Sequence, residues 1–483
     1  MAERSRAKAE VVLQLFGVNL EHQGRGFYVS LEMLAIARGA YVIDEDLLLA
    51  NDSSTIRYKR ISHDLARRIA TRATIVEGRD ELAKAVELET PEAFDTLRAL
   101  FSSLVVEVPG RKKAPSWFGA HLYPFVGELI HYDATERVVP KSHARSKDGS
   151  KRSRQAKTVD SGAKAPQIER YLFRDGGGWA YKVLRTDSND DRRIGTRQGL
   201  AELVRDSGTP LGNLAKSLSA HDFDYDEEPY EDIFEGKIEI FDESDPSCSN
   251  GSTWPELMRD GVHNIVTRSA APRAKRIESL MHWVPYCLAR HQLCLARRKL
   301  NVDTEAVLLD FGNETSPLRT ASRKHLDEFR ADIVGALNVQ AKEMVSAAGS
   351  DTEIQRYEKF ARETGAAVTS PRAFFTETLA AVGALNSTTG RRHFTLKPPM
   401  LEAIVSATIA GDREMEFGEF CKAIYQKYGL VVHSGTMGRD ALAYDVPPSV
   451  LDRNLNHFRD RLAAVGLLTQ YSDATSMVRG EPR

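Results

Sequence analysis

The chain has 483 residues, 42% hydrophobic and 28% charged, a balance that excludes a disordered chain and indicates a soluble globular protein of roughly two to four domains. A formal net charge of −2 excludes a whole-molecule attraction to nucleic acid or to an anionic membrane. No apolar run could span a bilayer, no signal peptide is recognisable, and four cysteines are too few for a disulfide scaffold. We therefore expect a cytoplasmic protein with reduced thiols, no membrane partner and a mixed α+β, predominantly helical, multidomain fold.

Residues 1–137 are predicted to form an N-terminal α+β domain. The strongly apolar segment 27–43 has aromatic and β-branched ends, which indicate strands around a helix. A clearer helix is predicted for 90–104, where Thr90 can cap the first turn and Pro91 occupies the first helical position.

Residues 138–166 are predicted to be a basic flexible linker, because the segment contains almost nothing to bury. Between residues 141 and 164, eight Lys or Arg stand against two Asp, which leaves a local charge of +6. A charge run of this kind is usually a solvated linker. The alternative function is a tether to a phosphate backbone, with salt-sensitive contacts that do not depend on sequence.

Residues 167–252 are predicted to form a small α+β region. Two strand-like runs flank Asp175 and the three glycines that follow it, so we expect a β-hairpin over 168–187. The stretch 221–245 is acidic, with twelve Asp or Glu and a single Lys. It is predicted to be a solvated loop or a contact for the basic linker.

The acidic stretch also contains the weak catalytic candidates Asp232, Glu235 and Lys237. Glu235 and Lys237 match the E-x-K half of a nuclease core, in which a carboxylate holds Mg²⁺ and a lysine stabilises developing charge. Asp226 or Asp232 would supply a second carboxylate. Gly236 interrupts the strand that such a core requires, so the nuclease is the alternative hypothesis, and we expect no cofactor.

Residues 253–385 are predicted to be a helical domain. One of its helices carries Cys287, His291 and Cys294 at positions i, i+4 and i+7, which places three zinc-ligand types on one face. The same helix is rich in Leu and aromatic residues, and cysteine is often buried without a function. A packed core helix is therefore favoured, and a metal site is the alternative.

Residues 398–480 contain three predicted helices followed by two short strands. The first helix follows Pro398, and the third begins near Pro448 and ends at Gly466. Its apolar residues recur at spacings of 4, 3, 4 and 3, which gives an amphipathic stripe of Leu451, Leu455, Phe458, Leu462 and Val465.

This order of helices and hairpin resembles that of winged-helix domains. The resemblance implies that the third helix enters the DNA major groove and that the hairpin touches backbone or minor groove. The implied contact residues are Arg453, Asn456, His457, Arg461 and Arg479. A basic cluster before the first helix, Arg391-Arg392-His393, could add a phosphate contact. Because Asp452 and Asp460 would repel phosphates and the fold also docks proteins, both partners stay open.

The stretch around residues 281–293 and the wing-like 472–482 resemble accessory proteins of bacterial antiphage defence systems, including methylation-associated ones. The resemblance implies a non-catalytic DNA-binding or complex-assembly protein. Its partners would be double-stranded DNA or other subunits of a defence complex. Phosphate-binding loops, nucleophile elbows and H-E-x-x-H motifs are absent from the sequence, which also favours a protein that is not an enzyme.

Overall fold

A computed structural model of the chain describes residues 2–20, 26–43, 55–59, 61, 63, 65–66, 69–70, 83, 90–106, 121–131, 176–219, 235–239, 251–302, 306–362, 369–387, 390–411, 413–436, 446–471 and 475–480. Of these, 68% are helical, and the strands form a few small sheets. The predicted predominantly helical α+β class is therefore confirmed. The predicted basic linker lies outside the described residues, as does the acidic stretch apart from residues 235–239.

The longer elements in the described part of the N-terminal region are α1 (Ala2–Phe16), α2 (Tyr28–Ile43), β1 (Thr55–Lys59) and α3 (Pro91–Ser103). The predicted strands at the ends of 27–43 are wrong, because the segment is the single helix α2. Every side chain from Tyr28 to Ala37 is buried, so burial on all sides hides the helical period. The predicted start of α3 is confirmed: the Thr90 hydroxyl accepts the Ala93 amide at 3.2 Å.

The predicted hairpin over 168–187 is also wrong within the described residues, because Gly176–Arg185 form helix α4. The glycines open this helix against α2. The Gly177 amide donates to the buried carboxylate of Glu32 at 2.7 Å, and a Cβ on Gly177 would lie 2.4 Å from the Glu32 Cβ. Glycine is needed there for close helix packing. Helices α5 (Asp190–Val204) and α6 (Pro210–Ser219) follow.

Five helices lie in the described part of residues 254–381, which we call the central body. They are α7 (Trp254–Val266), α8 (Arg273–Lys299), α9 (Pro317–Ala347), α10 (Asp351–Arg362) and α11 (Thr369–Ala381). Helix α8 is the axis of the body, because it packs against α7, α9 and α11 and is buried over most of its length.

The C-terminal part alternates helices with short strands. Its elements are α12 (Pro398–Thr408), β4 (Glu414–Glu416), α13 (Phe417–Tyr428), β5 (Leu430–Val431), α14 (Pro448–Ala464), β6 (Leu468–Gln470) and β7 (Ser476–Arg479). The three predicted helices and the hairpin β6–β7 are confirmed. Strand β4 joins the hairpin in an antiparallel sheet of order β4-β7-β6.

Two further strand pairs connect parts of the chain that are distant in sequence. Strand β1 pairs antiparallel with β2 (Glu235–Glu239), and β3 (Val307–Leu308) pairs parallel with β5. The second pair brings the loop after β3 next to the C-terminal helices.

One large buried cluster runs through the molecule from Val11 in α1 to Val478 in β7. It includes residues of the N-terminal helices, the central body and the C-terminal part. Helix α12 is buried over most of its length, because eight of its eleven residues are buried and it packs against α7 and α8. A smaller cluster gathers around α3 and α6, and a third lies between α9 and α14. The domain boundaries drawn from the sequence stay a prediction.

Candidate functional site

Helix α14 has an outer face and a buried face, as its amphipathic stripe predicts. Leu451, Phe458 and Leu462 are buried, and Phe458 packs against Phe311, Phe417 and Phe420. The outer face is open to solvent and exposes Asp452, Arg453, Asn456 and Asp460. It therefore presents two carboxylates, one guanidinium and one amide.

The predicted contact residues of α14 do not all lie on that face. Arg453 and Asn456 are exposed, one turn apart. His457 is half-buried beside Gly312, in the loop after β3. Arg461 turns towards the body: its guanidinium lies 5.5 Å from the Phe311 ring centre and within 3.5 Å of that residue's carbonyl. Burial lowers the pKa of Arg461, and the nearby carboxylate of Asp310 opposes this effect.

The remaining predicted cations lie outside α14. Arg479 in β7 is part-buried, donates to the Thr469 hydroxyl and lies 3.7 Å from the Glu414 carboxylate. Arg391 is exposed and Arg392 is half-buried, and both precede α12. Of these cations, Arg479 is held by contacts within its own sheet.

Asn454 is the residue of α14 that reasoning from the sequence missed. It is 3% exposed. Its side-chain oxygen accepts the Phe311 amide at 2.8 Å, and its nitrogen donates to the Leu309 and Val432 carbonyls at 2.9 and 2.8 Å. These hydrogen bonds connect α14 to the residues that follow β3 and β5. The signal was a polar residue within the apolar stripe, three residues after Leu451.

A buried charge cluster lies beneath this contact. Asp310 is 3% exposed and accepts the Gly312 amide at 2.9 Å and the Arg319 Nε at 2.6 Å. His393 lies 3.5 Å from the same carboxylate. Its pKa falls to about 4 because burial disfavours the charged ring, although Asp310 opposes this. The imidazole of His393 is therefore neutral at pH 7 and does not act as the cation that the basic cluster before α12 implied.

The catalytic candidates lie on the β1–β2 ribbon or beyond the described residues. Glu235 is paired with Lys59 in the strand register, and Lys237 is paired with Arg57. Asp232 lies outside the described residues. Within the part of the chain that is described, no group of three His, Cys, Asp or Glu is placed to hold a metal ion. The nuclease site stays a hypothesis.

The three zinc-ligand types of α8 lie in the protein core. Cys287 and His291 are fully buried, and Cys294 is 4% exposed. The His291 ring packs on Trp179 with centroids 4.9 Å apart. Burial raises the pKa of Cys287 well above its usual value and lowers that of His291 to about 4. The environment is that of packed core side chains.

Comparison of the chain with protein-family models, curated proteins and solved structures finds no match. Among the described helices, none combines the length and the apolarity needed to cross a bilayer. Functional inference therefore rests on the geometry of the chain's own residues, and above all on α14 and the sheet beside it.

Proposed function

We propose that residues 398–480 form a winged-helix module and that the chain is a non-catalytic assembly subunit, which docks onto another protein through the outer face of α14. The observation that carries the proposal is the order α12–β4–α13–β5–α14–β6–β7, in which β5 pairs with β3 outside the segment, with the sheet order β4-β7-β6. Helix, strand, two helices and a closing hairpin are the arrangement of winged-helix domains. In it, α14 takes the place of the exposed third helix.

Charge favours a protein partner over DNA. On the outer face, Asp452 and Asp460 flank Arg453, so the face has no excess of positive charge to offset phosphates. Arg461 and Arg479, which would supply that excess, are held by contacts within the protein. A small face of mixed charge and amide groups fits a protein surface of complementary charge.

Duplex DNA is the second candidate. Arg453 and Asn456 are both exposed and stand one turn apart on the outer face. Arginine and asparagine are the side chains that make bidentate contacts with guanine and adenine in the major groove. The two acidic neighbours would limit the affinity, but they leave these two side chains accessible.

A photo-crosslinking residue at position 456 tests the docking proposal in cells of the source organism. We expect a discrete protein adduct from this position that is lost when Arg453→Ala is combined with it. The matched control is the same crosslinker at Asp327, an exposed position on α9. A nucleic-acid adduct alone, or the same adducts from both positions, would reject protein docking.

Fluorescence anisotropy with a labelled duplex at several salt concentrations tests the DNA candidate. Binding through the outer face predicts that Arg453→Ala weakens affinity about 10-fold, within the range of one lost bidentate contact. Lys422→Ala removes the same charge from the exposed surface of α13 and should change affinity little. No binding at low salt would remove DNA from consideration.

We further propose that the partner is another subunit of a DNA-acting complex. The resemblance of the chain to accessory proteins of bacterial antiphage defence systems supports this class of partner. Identification of the adduct from position 456 by mass spectrometry tests it. A partner with no connection to DNA metabolism would contradict it.

A further inference from the structure

A cavity of about 200 Å³ lies where the central body meets the C-terminal part. Its walls are the start of α8, the middle of α12, the loop between α7 and α8, and Gly480 after β7. None of the predicted contact residues of α14 lines it, so the cavity is distinct from the proposed docking face.

The cavity has a positive lining. Arg268, Lys275 and Arg276 contribute three cations, and Glu402 is the carboxylate among the described lining residues. Arg268 is 2% exposed and donates to the Ile409 carbonyl at 2.5 Å. Lys275 lies 3.2 Å from Glu402, and Arg276 lies 3.1 Å from Glu202. Lys275 also lies 2.9 Å from Glu278, which is outside the lining. Among the described lining residues, three cations stand against one carboxylate.

The N-terminus of α8 adds to this positive potential. The helix has 27 residues, and the positive end of its dipole borders the cavity at Pro272. Its first turn carries Arg273, Lys275 and Arg276 and no acidic residue, and no described side chain caps it. Cations at this end of a helix are unfavourable unless an anion lies nearby.

The pKa of Arg273, in the first turn of α8, is lowered. Its pKa falls to about 10, first because the guanidinium is buried and then because Arg205, Arg38 and Arg276 repel its charge. Glu128 offsets this repulsion in part.

Ser279 supplies a hydrogen-bonding group that the protein does not use. It lines the cavity one turn after Lys275 and is 8% exposed, and its hydroxyl makes no hydrogen bond to a described residue. The Ser279 hydroxyl oxygen is open to the cavity, and the hydroxyl can therefore donate to a bound group. Ser279 shares the lining with the cations and with Ser406 of α12, and this combination of groups suits an oxyanion.

We propose that this cavity binds the phosphate group of a small anion, either free phosphate or a phosphate monoester. Lys275 and Arg276 would neutralise its charge, and Ser279 would donate a hydrogen bond to a phosphate oxygen. The volume exceeds that of several water molecules at roughly 30 Å³ each, so a phosphate fits with room for a small ester group. Because α8, α12 and Gly480 all border the site, the bound ion strengthens the attachment of the C-terminal module to the body.

Isothermal titration calorimetry with the full chain tests the proposal, with inorganic phosphate and glycerol 3-phosphate as probes at constant ionic strength. We expect saturable binding of at least one probe and a matching rise in Tm. Tighter binding of glycerol 3-phosphate would assign a monoester, and tighter binding of phosphate would assign the free ion.

Two variants identify the site. Ser279→Ala removes a hydroxyl without filling the cavity, and we expect about 10-fold weaker binding from one lost hydrogen bond to a charged ligand. Lys275→Gln should weaken binding at least as much. The control Lys422→Gln, on the exposed surface of α13, should leave affinity within about two-fold because surface charges interact weakly.

A third variant tests the site by a measurement that needs no added ligand. Ser279→Asp places a carboxylate in the cavity, so it should abolish phosphate binding and raise the Tm measured without phosphate. The proposal is overturned if neither probe binds, if the rise in Tm equals that in sodium chloride of the same ionic strength, or if the Ser279 and Lys275 variants bind like the control.

Discussion

Asn454 is the residue on which the placement of α14 depends most. Its side chain satisfies two carbonyls and one amide that are otherwise buried between α14, β5 and the loop after β3. Asn454→Ala should lower the free energy of unfolding by on the order of 3 kcal/mol, because buried backbone groups lose their partners. Urea unfolding followed by circular dichroism measures this.

The neighbouring Asn456 provides the control. It is exposed on the same helix, so Asn456→Ala should change stability by about 0.5 kcal/mol or less. Equal effects of the two substitutions would contradict the role given to Asn454.

His291 makes the stability of the core depend on pH. Its folded-state pKa is about 4, against an ordinary value of 6.5, so the folded protein holds the ring neutral. The stabilisation is complete above pH 6.5 and is lost as the pH falls towards 4, because the unfolded chain takes up the proton first. The contribution is about 1.4 kcal/mol per pH unit in this window.

His291→Phe keeps an aromatic ring against Trp179 and removes the titration. Between pH 6.5 and 4.5, its free energy of unfolding should fall less steeply with pH than that of the wild type. Urea midpoints at a series of pH values provide the comparison. Parallel curves for the two proteins would show that His291 does not titrate on unfolding.

At the scale of elements, the glycines of α4 serve helix packing. A Cβ on Gly177 would lie 2.5 Å from the Met33 amide nitrogen, whereas a Cβ on Gly178 would meet nothing within 4 Å. Gly177→Ala should therefore destabilise the protein by about 2 kcal/mol through overpacking. Gly178→Ala should stabilise it by about 0.5–1 kcal/mol, because alanine favours the helix. Thermal unfolding of both variants tests this contrast, and a loss of stability in both would refute it.

The carboxylates on the outer face of α14 should weaken its affinity for DNA. Asp452→Asn with Asp460→Asn removes two exposed carboxylates from the helix that carries Arg453, so affinity for duplex DNA at low salt should rise several-fold and become more salt-dependent. Anisotropy measurements at several salt concentrations give both quantities. An unchanged affinity would show that charge on this face does not limit DNA binding.

Sequence reasoning succeeded where the signal is local. Thr90 and Pro91 marked the start of α3, and the stripe from Leu451 to Val465 marked α14, because caps and periodicity are set by neighbouring residues. It failed where tertiary contact decides. The glycines at 176–178 were interpreted as a turn because their close approach to α2 is invisible in sequence.

The candidate site was predictable to a similar extent. Exposure of Arg453 and Asn456 followed from the helical period. Engagement of Arg461 with Phe311 could not be foreseen, because it depends on the parallel pair β3–β5. That pair is two residues long on each strand, too short for a sequence pattern to reveal.

At the scale of the whole molecule, one buried cluster joins the N-terminal helices, the body and the C-terminal part. We therefore expect a single calorimetric unfolding transition for the body and the C-terminal module together. A fragment of residues 391–483 should not fold alone, because it would expose the apolar surface of α12 that α7 and α8 cover. Two separated transitions, or a fragment with native-like dispersion in its NMR spectrum, would contradict this.

The hydrogen bonds of Asn454 also have a mechanical consequence. They couple α14 to residues 309–311, and Asp310 in that loop is paired with Arg319 in the first turn of α9. Helix α9 has 31 residues and extends about 46 Å at 1.5 Å per residue. A partner that displaces α14 would therefore displace the N-terminal end of α9. The chain could thereby report an event at its C-terminal module on the far side of the molecule.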